Sequence, residues 1–361
     1  MQNRETSHRI KVSIFMFITG CLGFITVTAF DKLYWHTDIL AQGYPDFSHG
    51  YLIRSVVIFV SVIFLLLAVI GKKKPELILA GHHKLPVEMI CILGTLFISI
   101  ICLLLFLFFP ITFSLSSLED ELIEWLSAIL AFGSSIILFI FVMKFRNHVN
   151  IPFSAKLSLV FLSLLFFIIG MEEVSWFQRI LHFQTIGMFD GNQQNETNLH
   201  NFANDYFENL YYGGTYLFFV ILPFLVVLFS SLNKSKYLRL FIARPYIAVI
   251  GTLPCAYNFD AWNILFIQAS FFSSLIILFC LAVFSKKRIE QCIIILTMIL
   301  VMITQGLFLM KGEEVFMRLW EIKEYKEFFI PLVFFIYSAD VSTHLNRVYA
   351  AETSWFPLAF E

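Results

Sequence analysis

Long apolar runs separated by short polar segments set the pattern of this chain. Runs near 20 residues recur at 10–30, 51–71, 87–112, 119–143, 157–182, 210–232, 261–284, 291–310 and 328–346. An α-helix rises about 1.5 Å per residue, so about 20 residues cross the roughly 30 Å apolar core of a bilayer. A shorter run at 245–257 contains Pro254 and reads as a broken or tilted helix. The fifth run is apolar only to Met171 and continues as a polar-faced extension. The pattern predicts an all-α fold, a polytopic transmembrane helical bundle of about ten spans. The alternating ten-residue segments of a membrane β-barrel are absent.

Composition agrees: of 361 residues, 59% are hydrophobic, 14% are charged and 44 are phenylalanine. The net charge of −1 gives no basic footprint for nucleic acid. The distribution of charge says more than the total. Arg4, Arg9 and Lys11, then Lys72 to Lys74, Lys144 and Arg146, Lys234, Lys236 and Arg239, and Lys286 to Arg288 fall in alternate loops. The other loops hold acids: Asp31, Asp38 and Asp46; Glu119 to Glu121; Glu208; Glu313, Glu314, Glu321, Glu324 and Glu327. The positive-inside rule then puts both termini in the cytoplasm. The first apolar run lacks a small-residue cleavage site and reads as an uncleaved helix. All six cysteines lie in or beside apolar runs, the setting of free thiols rather than a disulfide framework. No linker divides the chain, so residues 1–361 read as a single integral membrane domain, with 172–208 its functional segment on the outer face.

That segment carries the candidate chemistry. The stretch 170–201, GMEEVSWFQRILHFQTIGMFDGNQQNETNLHN, leaves a membrane span yet holds Glu172, Glu173, Glu196, His182, His200 and Arg179. Ionisable groups at such a place usually face a bundle interior or a wet cavity. If the fifth span continues as a helix, Glu172, Ser175, Arg179 and His182 share one face, with Glu173 a quarter-turn away. A water-facing interfacial helix gives the same pattern. Glu196 and His200 stand at i, i+4, a spacing that suits two ligands of a divalent metal, an acid/base pair, or an ordinary solvated pair. Glu124 continues a stripe with Asp120, Ser127, Ala131 and Ser135 into the fourth span. Residues 311–328 read as an amphipathic helix on the outer leaflet, with Glu314 and Arg318, and Lys323 and Glu327, as i, i+4 partners. The first outer loop adds His36, His49 and Arg54; Arg54 lies about a turn inside the second span and calls for a carboxylate partner.

The loop 35–53, WHTDILAQGYPDFSHGYLI, resembles the first outer loop of exosortases, polytopic bacterial membrane transpeptidases that work at the outer face. The catalytic cysteine context of that family does not follow, since Cys255 sits in LPCAYN, and no role passes to it. The stretch EEVSWFQRILHF with NQQNETNLHN, and EDELIEW before it, is similar to a pattern in uncharacterised multi-pass bacterial membrane proteins, which implies no activity.

These features lead to an expectation of a protein of the bacterial cytoplasmic membrane whose site opens outward. The leading reading is an enzyme acting on a lipid-linked or membrane-anchored substrate among membrane lipids. Glu172 or Glu173 would be the base, Arg179 would hold an anion, His182 and His200 would be acids or optional metal ligands, and Ser175 and Glu124 would complete the set. An ion-coupled transporter and a non-catalytic assembly factor are the alternatives. The sidedness is directly testable. Reporter fusions after Lys74, Arg146, Lys236 and Arg288 are expected to report cytoplasm, and fusions near Asp46 and Asn195 the outside. A cytoplasmic signal at Asn195 overturns the orientation.

Overall fold

The computed structural model describes residues 2–71, 75, 77, 79, 87–118, 121–146, 151–182, 184, 185, 187, 198, 204–229, 232 and 240–353, with the side chains of 2–9, 179, 204 and 347–353 left aside. The described residues are helical, with a single isolated bridge between Leu77 and Ser285 and no strand. In chain order the helices are α1 (Gln2–Leu33), α2 (His49–Ile70), α3 (Val87–Phe108), α4 (Pro110–Ser116), α5 (Leu122–Lys144), α6 (Phe153–Glu173) and α7 (Gln178–Leu181). They continue as α8 (Asn204–Tyr216), α9 (Leu222–Leu228), α10 (Pro245–Gly251), α11 (Leu265–Phe284), α12 (Arg288–Val315) and α13 (Glu321–Thr353). A π-helical stretch, Leu217–Ile221, joins α8 to α9, so that 205–228 runs as one span.

Among the described residues, nine helical segments are long and apolar enough to cross a membrane, and Pro245–Ala256 is a shorter apolar one. Apolar side chains such as Phe97, Phe161 and Leu217 face outward, as a lipid-bathed surface requires. These helices fit an integral membrane protein. These nine segments and the one shorter, broken run correspond to the ten runs of the sequence, and the break falls where Pro254 predicts it. Residues 311–328 do not form a surface helix: α12 runs to Val315, the chain turns at 316–320, and α13 begins at Glu321.

The helices group into two compact units. Unit 1 comprises 1–115, 205–228 and 244–326; unit 2 comprises 116–204, 229–243 and 327–361. In unit 1, α1 lies along α2, and α2 packs on α11. Val27, Ile58 and Val62 are the centre of that contact, with Phe24, Leu265 and Phe272 around them. Gly20 permits the close approach, since a Cβ there would stand 2.9 Å from the Ser61 carbonyl oxygen. After α10 a 3-10 turn, Leu253–Ala256, leads into the buried non-helical loop 257–264. Irregular backbone inside a membrane protein persists only where its polar groups are met. Here Asn258 Nδ2 donates to the Cys255 carbonyl (2.7 Å), and Gln305 Nε2 of α12 donates to the Asn258 carbonyl (2.6 Å).

In unit 2, α5 and α6 pair through small residues. Ser163 Oγ donates to the Ser135 carbonyl at 2.9 Å, and the two hydroxyls lie 3.1 Å apart. Ser127 Oγ donates to the Glu327 carbonyl at 3.1 Å, and the ring of Phe334 stacks on Phe166. Ser127, Ala131 and Ser135 are therefore a packing face rather than a polar path into the membrane.

Candidate functional site

The strongest concentration of buried polar groups lies at one end of unit 1. Asp31 ends α1 and Arg54 sits in the second turn of α2, with the loop 34–48 between the helices. Arg54 Nε donates to Asp31 Oδ1 at 2.8 Å and Nη2 to Asp31 Oδ2 at 2.7 Å, a two-point pair with both side chains almost wholly buried. The carboxylate partner expected for Arg54 is thus Asp31. Its Nη1 is sealed from solvent and, among the described residues, has no hydrogen-bond partner. A buried polar group left so costs about 1–3 kcal/mol, more when charged, and calls for an explanation. Tyr51 lies one turn before Arg54, and Trp35 stacks on it at 4.6 Å. Gly50 is needed there, because a Cβ would come within 2.7 Å of the Trp35 ring.

Asp31, Tyr51 and Arg54 line a recess of about 180 Å³ together with Asp38, Gln42 and Asn263. Asn263 ties the loop to unit 1's core: its Nδ2 donates to the Tyr44 carbonyl at 2.8 Å and its Oδ1 accepts from the Asp46 amide at 3.1 Å. The Gly43 amide donates to the Asp260 carbonyl at 2.8 Å. Loop 34–48 and loop 257–264 are therefore one construction.

Gln42 carries the recess into a second polar layer. Its Nε2 donates to Glu208 Oε2 at 2.8 Å, and its Oε1 accepts from Lys323 Nζ at 3.2 Å. Lys323 Nζ also meets Glu208 Oε1 at 2.7 Å and lies 4.0 Å from Asp260 Oδ2. One helical turn on, Lys326 Nζ donates to Asn258 Oδ1 at 2.7 Å and sits 4.0 Å above the Tyr212 ring. Asp260 is 2% exposed, and among the described residues its Oδ1 has no hydrogen-bond partner. Burial pushes its carboxyl up to about 6; the Lys323 ammonium opposes that rise and the Glu208 carboxylate adds to it. The network thus holds a carboxyl that titrates near neutrality, one side chain behind the recess.

The residues singled out from the sequence fall elsewhere, in unit 2. Glu172 and Glu173 are the last residues of α6 and are half-buried. The expected continuous helical face is not formed. Ser175, Trp176 and Phe177 take left-handed angles (φ 45°, 53° and 61°), α7 spans Gln178–Leu181, and His182 is again left-handed at φ 52°. Side chains with a Cβ resist that region, so the reversed turn breaks the register of Glu172, Ser175, Arg179 and His182. Glu172 Oε1 accepts from Trp176 Nε1 at 2.7 Å, buried Ser175 Oγ accepts from Asn198 Nδ2 at 3.0 Å, and His182 is exposed. Glu124 is half-buried in the first turn of α5. The side chain of Arg179, and Glu196 and His200 entirely, lie outside the described residues. Among the described residues no three His, Cys, Asp or Glu side chains come together as metal ligands. His49 opens α2 and is exposed.

Two pairings take other partners. Arg318 Nε lies 3.6 Å from Glu321, whose fully buried carboxylate also accepts from Ser114 Oγ (2.6 Å) and from the Arg318 amide. Lys323 reaches Glu208 across the fold. Sequence reasoning named Glu208 only for its charge and Lys323 only as a partner of Glu327, and did not raise Asp260 or Lys326. A signal was present: Lys323 and Lys326 stand in a loop region otherwise rich in acids, against the charge bias that orients the chain.

No family model matches the chain, and neither does any curated protein or solved structure at a significant level.

The Asp260 carboxyl makes stability depend on pH. Its folded value of about 6 lies above the ordinary 3.8, so the proton favours folding. That contribution, roughly 2–3 kcal/mol, is full below the unfolded value and gone once pH has passed the folded one. Melting curves from about pH 4 to about pH 7 should show wild type losing stability relative to Asp260→Asn across that window. Parallel curves would remove Asp260 as the titrating group.

Proposed function

We propose that this chain is an enzyme of the bacterial cytoplasmic membrane that acts on the polar head of a lipid-linked or membrane-anchored substrate. The head sits in the Arg54 recess, at the outer face. The observation that carries this reading is the Arg54–Asp31 pair in the recess wall, fixed by two hydrogen bonds and almost wholly buried. A side chain locked by its partner in this way gives a site a rigid wall. The place favours a membrane-anchored substrate. Asp31 ends one candidate span and Arg54 lies in the second turn of the next, so the recess falls at the level where a lipid head group lies. Asp260, linked to the recess through Lys323 and Gln42, offers a buried carboxyl whose proton affinity is raised, to about 6.

The expected orientation, with both termini cytoplasmic, puts this end outside. Glu172, Glu173 and Ser175, at the left-handed turn that follows α6, form a separate group of candidate residues in unit 2, and the metal reading of Glu196 and His200 is carried forward only as a proposal.

A photoreactive benzoyl-phenylalanine placed at Ile39 in the recess, and at Phe97 on a lipid-facing surface, tests the reading. In membranes, the Ile39 adduct should carry a head group different from the bulk phospholipids captured at Phe97. The same bulk lipids at both positions, or no adduct at Ile39, would contradict the proposal.

A further inference from the structure

One lysine stands between two acids. Lys323 Nζ lies 2.7 Å from Glu208 Oε1 and 4.0 Å from Asp260 Oδ2, so it is bonded to the first and only near the second. It also donates to Gln42 Oε1 at 3.2 Å. Gln42 belongs to loop 34–48, Glu208 to α8, Asp260 to loop 257–264 and Lys323 to the first turn of α13. Four segments far apart in sequence therefore meet at one ammonium group of unit 1.

This geometry suits one charge state of Asp260. Its side chain is buried, and among the described residues its Oδ1 has no hydrogen-bond partner. An unmet oxygen costs more on a carboxylate than on a neutral carboxyl. An ionised Asp260 would also draw Lys323 to about 2.8 Å, the length of a charge-assisted bond. At 4.0 Å the lysine has not been drawn, so the arrangement is that of the protonated acid. The charges that bear on Asp260 come from two elements: Lys323 and Lys326 on α13, and Glu208 on α8. Asp205, exposed near the start of α8, bears on Glu208 and Lys323. Loop 34–48 meets this layer through the Gln42 amide and the Gly43 backbone, and α12 meets loop 257–264 through the neutral Gln305. Glu313 and Glu314, at the end of α12, are exposed.

Loss of the proton changes the balance. Asp260, Glu208 and Lys323 together pass from neutral to one negative charge, while Lys326 stays engaged with Asn258 and the Tyr212 ring. A buried carboxylate is satisfied by bringing a cation onto it, and Lys323 is within 4.0 Å. The contacts Lys323 holds are unequal. Its bond to Glu208 is short and joins two charges; its bond to Gln42 is longer and ends on a neutral oxygen, so Gln42 is the one given up. The loop keeps its Gly43 and Asn263 bonds and loosens at Gln42 rather than detaching.

We propose that Lys323 is the moving part of a proton-operated latch: with Asp260 protonated it holds Gln42 of loop 34–48, and when Asp260 gives up its proton it turns to Asp260 and frees that corner of the loop. The Asp260 carboxyl titrates at about 6, so the latch is shut in acid and opens as pH rises past that value. The latch belongs to the loop itself and does not require a ligand in the recess.

Hydrogen–deuterium exchange of the full chain in nanodiscs tests this at about pH 5 and about pH 7.5, with rates corrected for the intrinsic pH dependence of exchange. In wild type, protection of loop 34–48 should fall roughly tenfold between the two, the worth of one hydrogen bond to a charged group, while α2 keeps its protection. Asp260→Asn, uncharged at either pH, should keep the loop protected at both. Gln42→Met, which removes the catch but leaves the lysine and both acids, should leave the loop loose at both. Loop protection independent of pH in wild type would overturn the latch. So would an equal fall in α2, which would mean that unit 1 loosens as a whole. A pH response retained in Asp260→Asn would remove Asp260 as the sensor, and one retained in Gln42→Met would remove the assigned contact. Capture at Ile39 is read separately, so the latch and the binding-site reading fail by different results.

Discussion

A guanidinium cannot leave water without a partner that meets its charge and its donors together. Moving such an ion into a protein interior costs several kcal/mol even after relaxation, and a single point contact does not offset it. Arg54 has a two-point contact with Asp31, and that contact fixes more than the two side chains. It joins the last turn of α1 to the second turn of α2 and so sets the ends of the hairpin. The loop 34–48 must then close over a fixed span, with Trp35 stacked on Tyr51 and Thr37 bonded back to the Asp31 carbonyl. The recess is what remains between that loop and the buried pair.

The second layer follows from a different constraint. The break after α10 leaves non-helical backbone in the interior, and α12 and the start of α13 supply the side chains that satisfy it. The same side chains position chemistry. Lys326 holds Asn258, and one turn earlier Lys323 holds Glu208 and approaches Asp260. The Gly43 amide bonds to the Asp260 carbonyl, so loop 257–264 and the wall of the recess are tied by their backbones. Structural satisfaction and candidate function are in this way carried by one set of groups.

Much of the helical layout was legible in the sequence because the bilayer imposes it: span length, the broken run at Pro254, the need of Arg54 for a carboxylate and the free thiols all follow from apolar length and burial. The site was less legible. Helical periodicity placed Glu172, Ser175, Arg179 and His182 on one face, but periodicity holds only while φ stays negative, and Ser175, Trp176 and Phe177 reverse it. Glu314 with Arg318 and Lys323 with Glu327 were read as local partners for the same reason. Long-range partners, Glu321 with Ser114 and Lys323 with Glu208, take their place because loops distant in sequence meet at one end of unit 1. No spacing rule along a chain encodes a contact between residues 208 and 323.

The most direct measurement is a double-mutant cycle on the buried pair. Arg54→Met and Asp31→Leu are made singly and together, and melting free energy and head-group capture by the Ile39 photoprobe are read for each. If the pair organises this end of the molecule, each single change should cost about 3–5 kcal/mol by leaving a buried charge alone. The double variant should regain most of that stability, because two apolar groups fill the space without a charge to solvate, yet its recess should bind no head group distinct from bulk lipid. Single variants as stable as wild type, or a double variant that still binds, would contradict the account.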